Sequence, residues 1–143
     1  MVRHARRTRR SLKRRTAQRR RRPADAEGRM RCAIARYCNP QRGLEMRDVH
    51  PFLVLSPKAF NLRTSLVIGL PMTTAAYHAD NPFAVAVGMA GGRKTGETSY
   101  VLCHQPKSFD WRQRGGAPHL MKRIPDERFA AVLVILNQIV QLA

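Results

Sequence analysis

"PFLVLSPKAFNLRTSLVIGL", residues 51 to 70, sets two short apolar runs on either side of a polar stretch. Pro51 to Ser56 and Ser65 to Leu70 are rich in Leu, Val, Ile and Phe, and both fall well short of the ~12 residues an independent helix needs. Continuous apolar runs of this length, bounded by turn formers, predict strands. The intervening "PKAFNLRT" carries Pro, Asn and Thr, and predicts a polar connection built on turn chemistry.

Working outward, the same punctuation recurs. "CAIARYC" (residues 32 to 38) predicts an earlier strand, and Asn39 to Val49 a loop, because Asn-Pro and Gly interrupt it. "FAVAV" alternates from Phe83, "GMAGGRKTGET" supplies a glycine-rich turn, and "SYVLCH" forms the next strand. Five strands in fewer than 80 residues predict a mainly β fold, a small antiparallel barrel.

The chain ends differently. "IPDERFAAVLVILNQIVQLA" places Pro125 where a helix tolerates it, Asp126 and Glu127 in the first turn, and apolar residues thereafter. Phe129, Val132, Leu133, Leu136, Ile139 and Val140 share one helical face, and Ala130, Val134 and Ile135 widen it around much of the cylinder. So broad an apolar surface predicts a second cover, a dimer mate or other partner, unless a small core simply takes in all of it.

Charge narrows the function. The 143 residues carry a formal +18, of which Met1 to Arg22 hold twelve Lys and Arg with no acid, leaving +6 for the remainder. Both parts are basic, which favours an anionic partner, nucleic acid above all. Residues 1 to 28 lack the apolar side chains to build a core and are expected to form a disordered cationic arm, either binding RNA non-specifically or serving no function; residues 29 to 143 form the folded domain. Aromatic residues make up only 6%, so no broad stacking platform is expected.

Cys32, Cys38 and Cys103 form no CxxC pair, and an odd count argues against a disulfide scaffold. A reduced, cytoplasmic protein without metal or cofactor is expected. No apolar run approaches the ~20 residues of a membrane span, and the arginine-rich N-terminus lacks the apolar centre of a secretory signal.

The densest polar stretch is "HQPKSFDWR", His104 to Arg112. A wholly buried strand would leave several of these groups unpaired at ~1–3 kcal/mol each, so the stretch is expected at a surface that meets another polar molecule. Trp111, the single tryptophan, is expected in the core or a dimer interface, and Asp110 is expected to cap a turn or pair with Arg112 or Arg114.

Five stretches in order, "HPFLVLSPKAFN", "LVIGLPMTT", "NPFAV", "HQPKSFDWRQRGG" and the "IPDE" helix, resemble the MazF/PemK toxins, the ribonuclease halves of bacterial toxin–antitoxin pairs. The resemblance spans about residues 31 to 143. It implies an SH3-like barrel with a C-terminal helix, a homodimer, metal-independent cleavage of single-stranded RNA at short sequences, and an acidic antitoxin that blocks the RNA groove.

Cutting RNA without metal uses the ribose 2′-OH as nucleophile, which requires a base, an acid for the leaving 5′-oxygen and a donor for the phosphorane. The family pattern of a glutamate five residues before an Arg-Pro pair, and a threonine in Pro-x-Thr, falls on Glu45 and Thr73, with Thr74 able to substitute for Thr73. The arginine position holds His50, followed by Pro51. Arginine is a permanently charged planar fork, whereas imidazole exchanges protons near neutral pH. His50 would then do acid–base work directly, with Arg47 supplying the cation. His104 stands where the family carries an aspartate, and Gln105, Lys107, Ser108 and Arg112 follow as expected RNA contacts. Lys58, Arg63, Arg93 and Lys94 add to the basic field. Two other functions fit these residues: a binding homologue that has lost cleavage, suggested by the two histidine replacements, and a gyrase-directed toxin of the same architecture.

Overall fold

The computed structural model describes residues 32–36, 49–92 and 94–141. The N-terminal arm, Glu45, Arg47 and Arg93 lie outside these residues, as does the loop from Asn39 to Asp48.

Strand β1 (Cys32–Arg36) pairs antiparallel with β2 (Val49–Val54), which pairs with β3 (Leu66–Thr73). The two buried strands of the opening stretch are therefore neighbours. Their connection is not a turn, as its composition predicts, but a short helix, α1 (Lys58–Thr64). Its Asn61 and the preceding Ser56 are used for tertiary bonding. Asn61 is almost fully buried, its Nδ2 donates to the Ser56 carbonyl at 3.2 Å, and its Oδ1 accepts from Ser56 Oγ at 2.5 Å. Ser56 Oγ also accepts from the Ile68 amide at 2.9 Å, which ties the entry of α1 to β3.

Strand β3 is the organiser of the sheet. One edge holds β2, while the other pairs first with β6 (Lys107–Asp110) and then with β5 (Thr98–Leu102), so Leu66 to Gly69 and Met72 to Thr73 serve different neighbours. Pro71, with no N–H to give, stands at the changeover. Gly69 is required where β2 crosses close, since a Cβ there would lie 1.9 Å from the Leu53 carbonyl oxygen.

β4 (Ala84–Met89) completes one side through β5, and a two-residue β7 (Ala117–Pro118) borders β1. The strand order is β4-β5-β3-β2-β1-β7, with β6 on β3. The fold is mainly β with α, as the sequence predicts, but no ladder among the described residues joins β4 to β7, so the expected barrel is a curled sheet that stays open.

The curl gives two apolar layers. On one face Leu53, Leu70, Met72, Val85, Val87, Val101 and Cys103 pack with Ile124 and with Val132 and Leu136 of helix α2 (Asp126–Val140). On the other, Phe52, Val54 and Val67 pack with Phe109, Trp111 and Leu62 of α1. Fully burying each of the larger aliphatic or aromatic side chains contributes about 1.5–3 kcal/mol.

Helix α2 has Asp126 and Glu127 in its first turn, as expected, and Arg123 pairs with Asp126. Its buried stripe is rotated from the predicted one. Val132 and Leu136 are inside with Phe129, Ala131 and Ile135 partly covered, whereas Leu133, Val134, Ile139 and Val140 are exposed. The surplus apolar surface thus exists, centred about a residue away from where periodicity put it. None of the described helices is long and apolar enough to cross a membrane.

"HQPKSFDWR" is half surface and half core. β6 alternates, so Phe109 is buried, and Trp111 beyond it is also inside and donates from Nε1 to the Asn61 carbonyl at 3.1 Å. Asp110 caps the following turn as expected, its Oδ1 accepting from the amides of Arg112 and Gln113, both at 2.9 Å.

Candidate active site

The β2–β3 register decides where the two central candidates lie. Phe52 faces Pro71, Leu53 faces Leu70 and Val54 faces Gly69. The β2–β3 ladder ends at the Phe52–Pro71 pair, and His50 lies two residues beyond it on β2 as Thr73 does on β3. Alternation puts both on the face carrying Phe52 and Val54, away from α2. His50 is half-buried and is itself held by β1 through its pairing with Ala35.

Thr73 ends β3 opposite Tyr100 of β5 and is only 8% exposed. Its Oγ accepts from the Ala75 amide at 3.2 Å, a short turn that fixes the rotamer and leaves the hydroxyl proton to donate elsewhere. Thr73 and Thr74 line a cleft of about 450 Å³ with Ala75, Ala76, Glu97, Thr98 and Tyr100.

Glu97, Thr98 and Tyr100 were not among the residues singled out from the sequence. Alternation in "TSYVL" was a usable signal for Thr98 and Tyr100, which share one face of β5. Glu97 gave none, because its place depends on how the β4–β5 connection closes. The Ala90 amide donates to the Glu97 carbonyl at 2.8 Å, and a bulge between Ala86 and Gly88 (φ 124°) shifts the register that leads to it.

The segment from His104 to Arg112 lies apart from this cleft, none of whose lining it supplies. His104 is exposed just after β5, its ring 5.9 Å from that of Phe83 and its Nε2 3.4 Å from Gln105 Nε2. Lys107 faces Gly69 and Ser108 faces Ile68, so the two point to opposite sides of β6. Arg112 is drawn to α1, its guanidinium donating to the Leu62 carbonyl at 3.3 Å and resting 5.2 Å from the Trp111 ring centre. Of the expected contacts, Thr73 and Thr74 line the cleft together, His50 shares the sheet face of Thr73 without being part of that lining, and the others lie along β6 and its flanks.

Next to His104 lies a buried imidazole the sequence did not single out. His78, 8% exposed, sits in a 3-10 turn between β3 and β4 with its ring 4.3 Å from Tyr77. Asn81 Oδ1 accepts from the Phe83 amide at 2.9 Å, which turns its Nδ2 toward His78 Nδ1 at 3.1 Å. Burial, and secondarily the nearby His104, lowers the His78 pKa below the usual 6.5. Burial likewise lowers that of His119, whose Nδ1 accepts from the Met121 amide at 3.2 Å. Cys103 points into the core toward the Val132 carbonyl, and burial pushes its thiol up to about 11, which disfavours the thiolate. Among the described residues no three His, Cys, Asp or Glu side chains converge.

The curled sheet with its C-terminal helix is a fold shared with solved structures. The MazF of Deinococcus radiodurans superposes with a TM-score of 0.65 at 28% identity, covering 78% of this chain and 94% of that one. The same organism's MazF in a MazE-MazF complex gives 0.61 at 28% identity, over 79% and 94% of the two chains. Residues 34–140 match the family of PemK-like, MazF-like toxins of type II toxin-antitoxin systems. The chain belongs to that family. Endoribonuclease PemK of Escherichia coli is 34% identical over 102 residues, 71% of this chain and 73% of that relative.

Proposed function

We propose that this family member is a sequence-specific endoribonuclease that cuts single-stranded RNA without a metal ion and acts as a cytoplasmic growth-inhibiting toxin. In this reading the ribose 2′-OH attacks the adjacent phosphorus, giving up its proton to a base, and the 5′-oxygen leaves with a proton from an acid. The products are a 2′,3′-cyclic phosphate and a free 5′-OH. His50 exchanges the protons with Glu45, Arg47 supplies positive charge, and the Thr73 hydroxyl donates to a phosphate oxygen. Lys107, His104, Gln105, Ser108 and Arg112 contact the flanking strand.

What supports this reading is that strand alternation sets His50 of β2 and Thr73 of β3 on the same face of neighbouring strands, with Thr73 lining an open cleft. The endoribonuclease name of the Escherichia coli relative supports the same reaction class. By analogy with the Deinococcus complex, a MazE-like acidic antitoxin covers the basic surface of a toxin homodimer. The exposed apolar residues of α2 suit such an assembly.

The test is incubation of the full chain with a long single-stranded RNA in EDTA. Discrete cuts with cyclic-phosphate ends are expected. Intact RNA that is nevertheless bound would favour the binding homologue that His50 in the arginine position suggests, and growth arrest with gyrase trapped on DNA would favour the gyrase poison.

A further inference from the structure

The cleft beside Thr73 has an unexpected chemistry for an RNA-binding chain. Among its described lining residues there is no cation, while Glu97 brings a carboxylate. A chain with 27 Lys and Arg and only 9 Asp and Glu places one of its few acids here. Among the described residues that carboxylate has no ion-pair partner. A phosphate would be repelled from its immediate surroundings, so the part of the lining around the exposed Glu97 is distinct from the phosphate contact proposed for Thr73.

The remaining lining suits a nucleobase. Tyr100 is half-buried and offers a ring, Ala75 and Ala76 give a small apolar wall, and the Thr74 and Thr98 hydroxyls serve as donor or acceptor. The volume of about 450 Å³ is that of a small-molecule site. Glu97 is not on a loose tip, because its carbonyl is bonded to the Ala90 amide and the next residue, Thr98, pairs with Met89.

We propose that this cleft holds one splayed base of the RNA and that Glu97 selects a base presenting an exocyclic amino group, rejecting uracil. The inference rests on the RNA-cleaving reading above and deepens it by naming what one subsite recognises. An ionised carboxylate only accepts hydrogen bonds. Adenine, cytosine and guanine each offer an amino group on the Watson–Crick edge, whereas uracil flanks its single N–H with two carbonyl oxygens that oppose the carboxylate. Glu97 is thus a specificity determinant, distinct from the proton-transfer groups at His50.

The experiment uses the full chain, wild type and Glu97→Gln, with fluorescent 2′-O-methyl oligonucleotides of A, C or U only, which bind but cannot be cut. Wild type is expected to bind the A and C forms about tenfold more tightly than U, the discrimination of one well-placed polar pair. Glu97→Gln is expected to bring the three within about twofold, because an amide can both donate to and accept from uracil. An A and C to U ratio equal in both proteins, or no preference in wild type, overturns the inference. Matching thermal melts establish that the variant is folded. If wild type neither binds these oligonucleotides nor cuts RNA in EDTA, the RNA-cleaving reading itself fails; an unchanged ratio alongside normal cutting overturns the Glu97 assignment alone.

Discussion

Thr73 stands opposite Tyr100 on the last rung between β3 and β5, with its Oγ bonded to the amide of Ala75 two residues on. Its hydroxyl is therefore held at the cleft wall by a local turn before any RNA arrives. Thr73→Ala is expected to lower the rate of RNA cleavage by roughly a hundredfold, the scale of a lost oxyanion donor, at a stability cost of only about 1 kcal/mol. Thr73→Ser, which keeps the hydroxyl, should recover most of that rate. Single-turnover cleavage alongside a denaturation curve separates the two effects, and a Ser variant as slow as Ala would remove the hydroxyl from the mechanism.

His50 of β2 pairs with Ala35 of β1. His50→Ala should cost at least a hundredfold in cleavage if the imidazole moves protons. His50→Arg restores a cation without an efficient proton carrier at neutral pH, so it should bind RNA at least as well as wild type while cutting differently. Equal cutting by wild type and Ala would leave His50 as a strand residue only.

Stability should fall in mild acid because of His78 and His119. Both have folded pKa values below the ordinary 6.5, so the unfolded chain binds protons first as pH drops. Their contribution is complete above about pH 6.5 and is lost as pH falls through the folded values. The urea midpoint should therefore decline from about pH 7.5 to pH 5, and less steeply in His78→Gln. His104, the nearby group, is the second cause of the lowered His78 pKa after burial. Parallel slopes in wild type and His78→Gln would assign the decline to other groups.

Gly69→Ala should be among the most damaging single changes in the sheet. The added methyl meets the Leu53 carbonyl at 1.9 Å and the Phe52 ring at 2.7 Å, with β2 on one edge and β6 on the other preventing retreat. A loss of about 3 kcal/mol or more is expected, read from denaturant unfolding or from insoluble expression. A loss under 1 kcal/mol would mean that β2 and β3 separate easily.

Deleting residues 1 to 28 removes the twelve cations of Met1 to Arg22. RNA affinity and the slope of its salt dependence should both fall, because fewer counterions are released, while the positions of the cuts stay the same. Sequencing the cleavage ends of full-length and truncated chains checks this, and a shifted cut pattern would show that the arm reads bases.

Much of this protein was written in local pattern. Apolar runs bounded by turn formers located β2 to β5, the acidic first turn located α2, and ordered motifs carried the resemblance to the toxin family, because hydrophobic periodicity and capping act over a few neighbouring residues. Thr73 was singled out by the Pro-x-Thr motif of that resemblance, and its place in the cleft lining came from the structure. Other features needed distant partners. "PKAFNLRT" became a helix because Asn61 is buried and takes the Trp111 indole from fifty residues away, an interaction no local propensity contains. The α2 stripe turned to suit the sheet it met, leaving Leu133 outside and Ile135 partly in. Glu97 reached the cleft only through a bulge and a closing hydrogen bond in the β4–β5 connection. Sequence alone located β1 to β5, α2 and the chemistry they carry, since those follow from side-chain type and spacing, whereas α1, β6 and β7 appeared only in the fold. Only the tertiary structure decided which of those groups share a surface, because register and curl are settled by packing across the whole sheet.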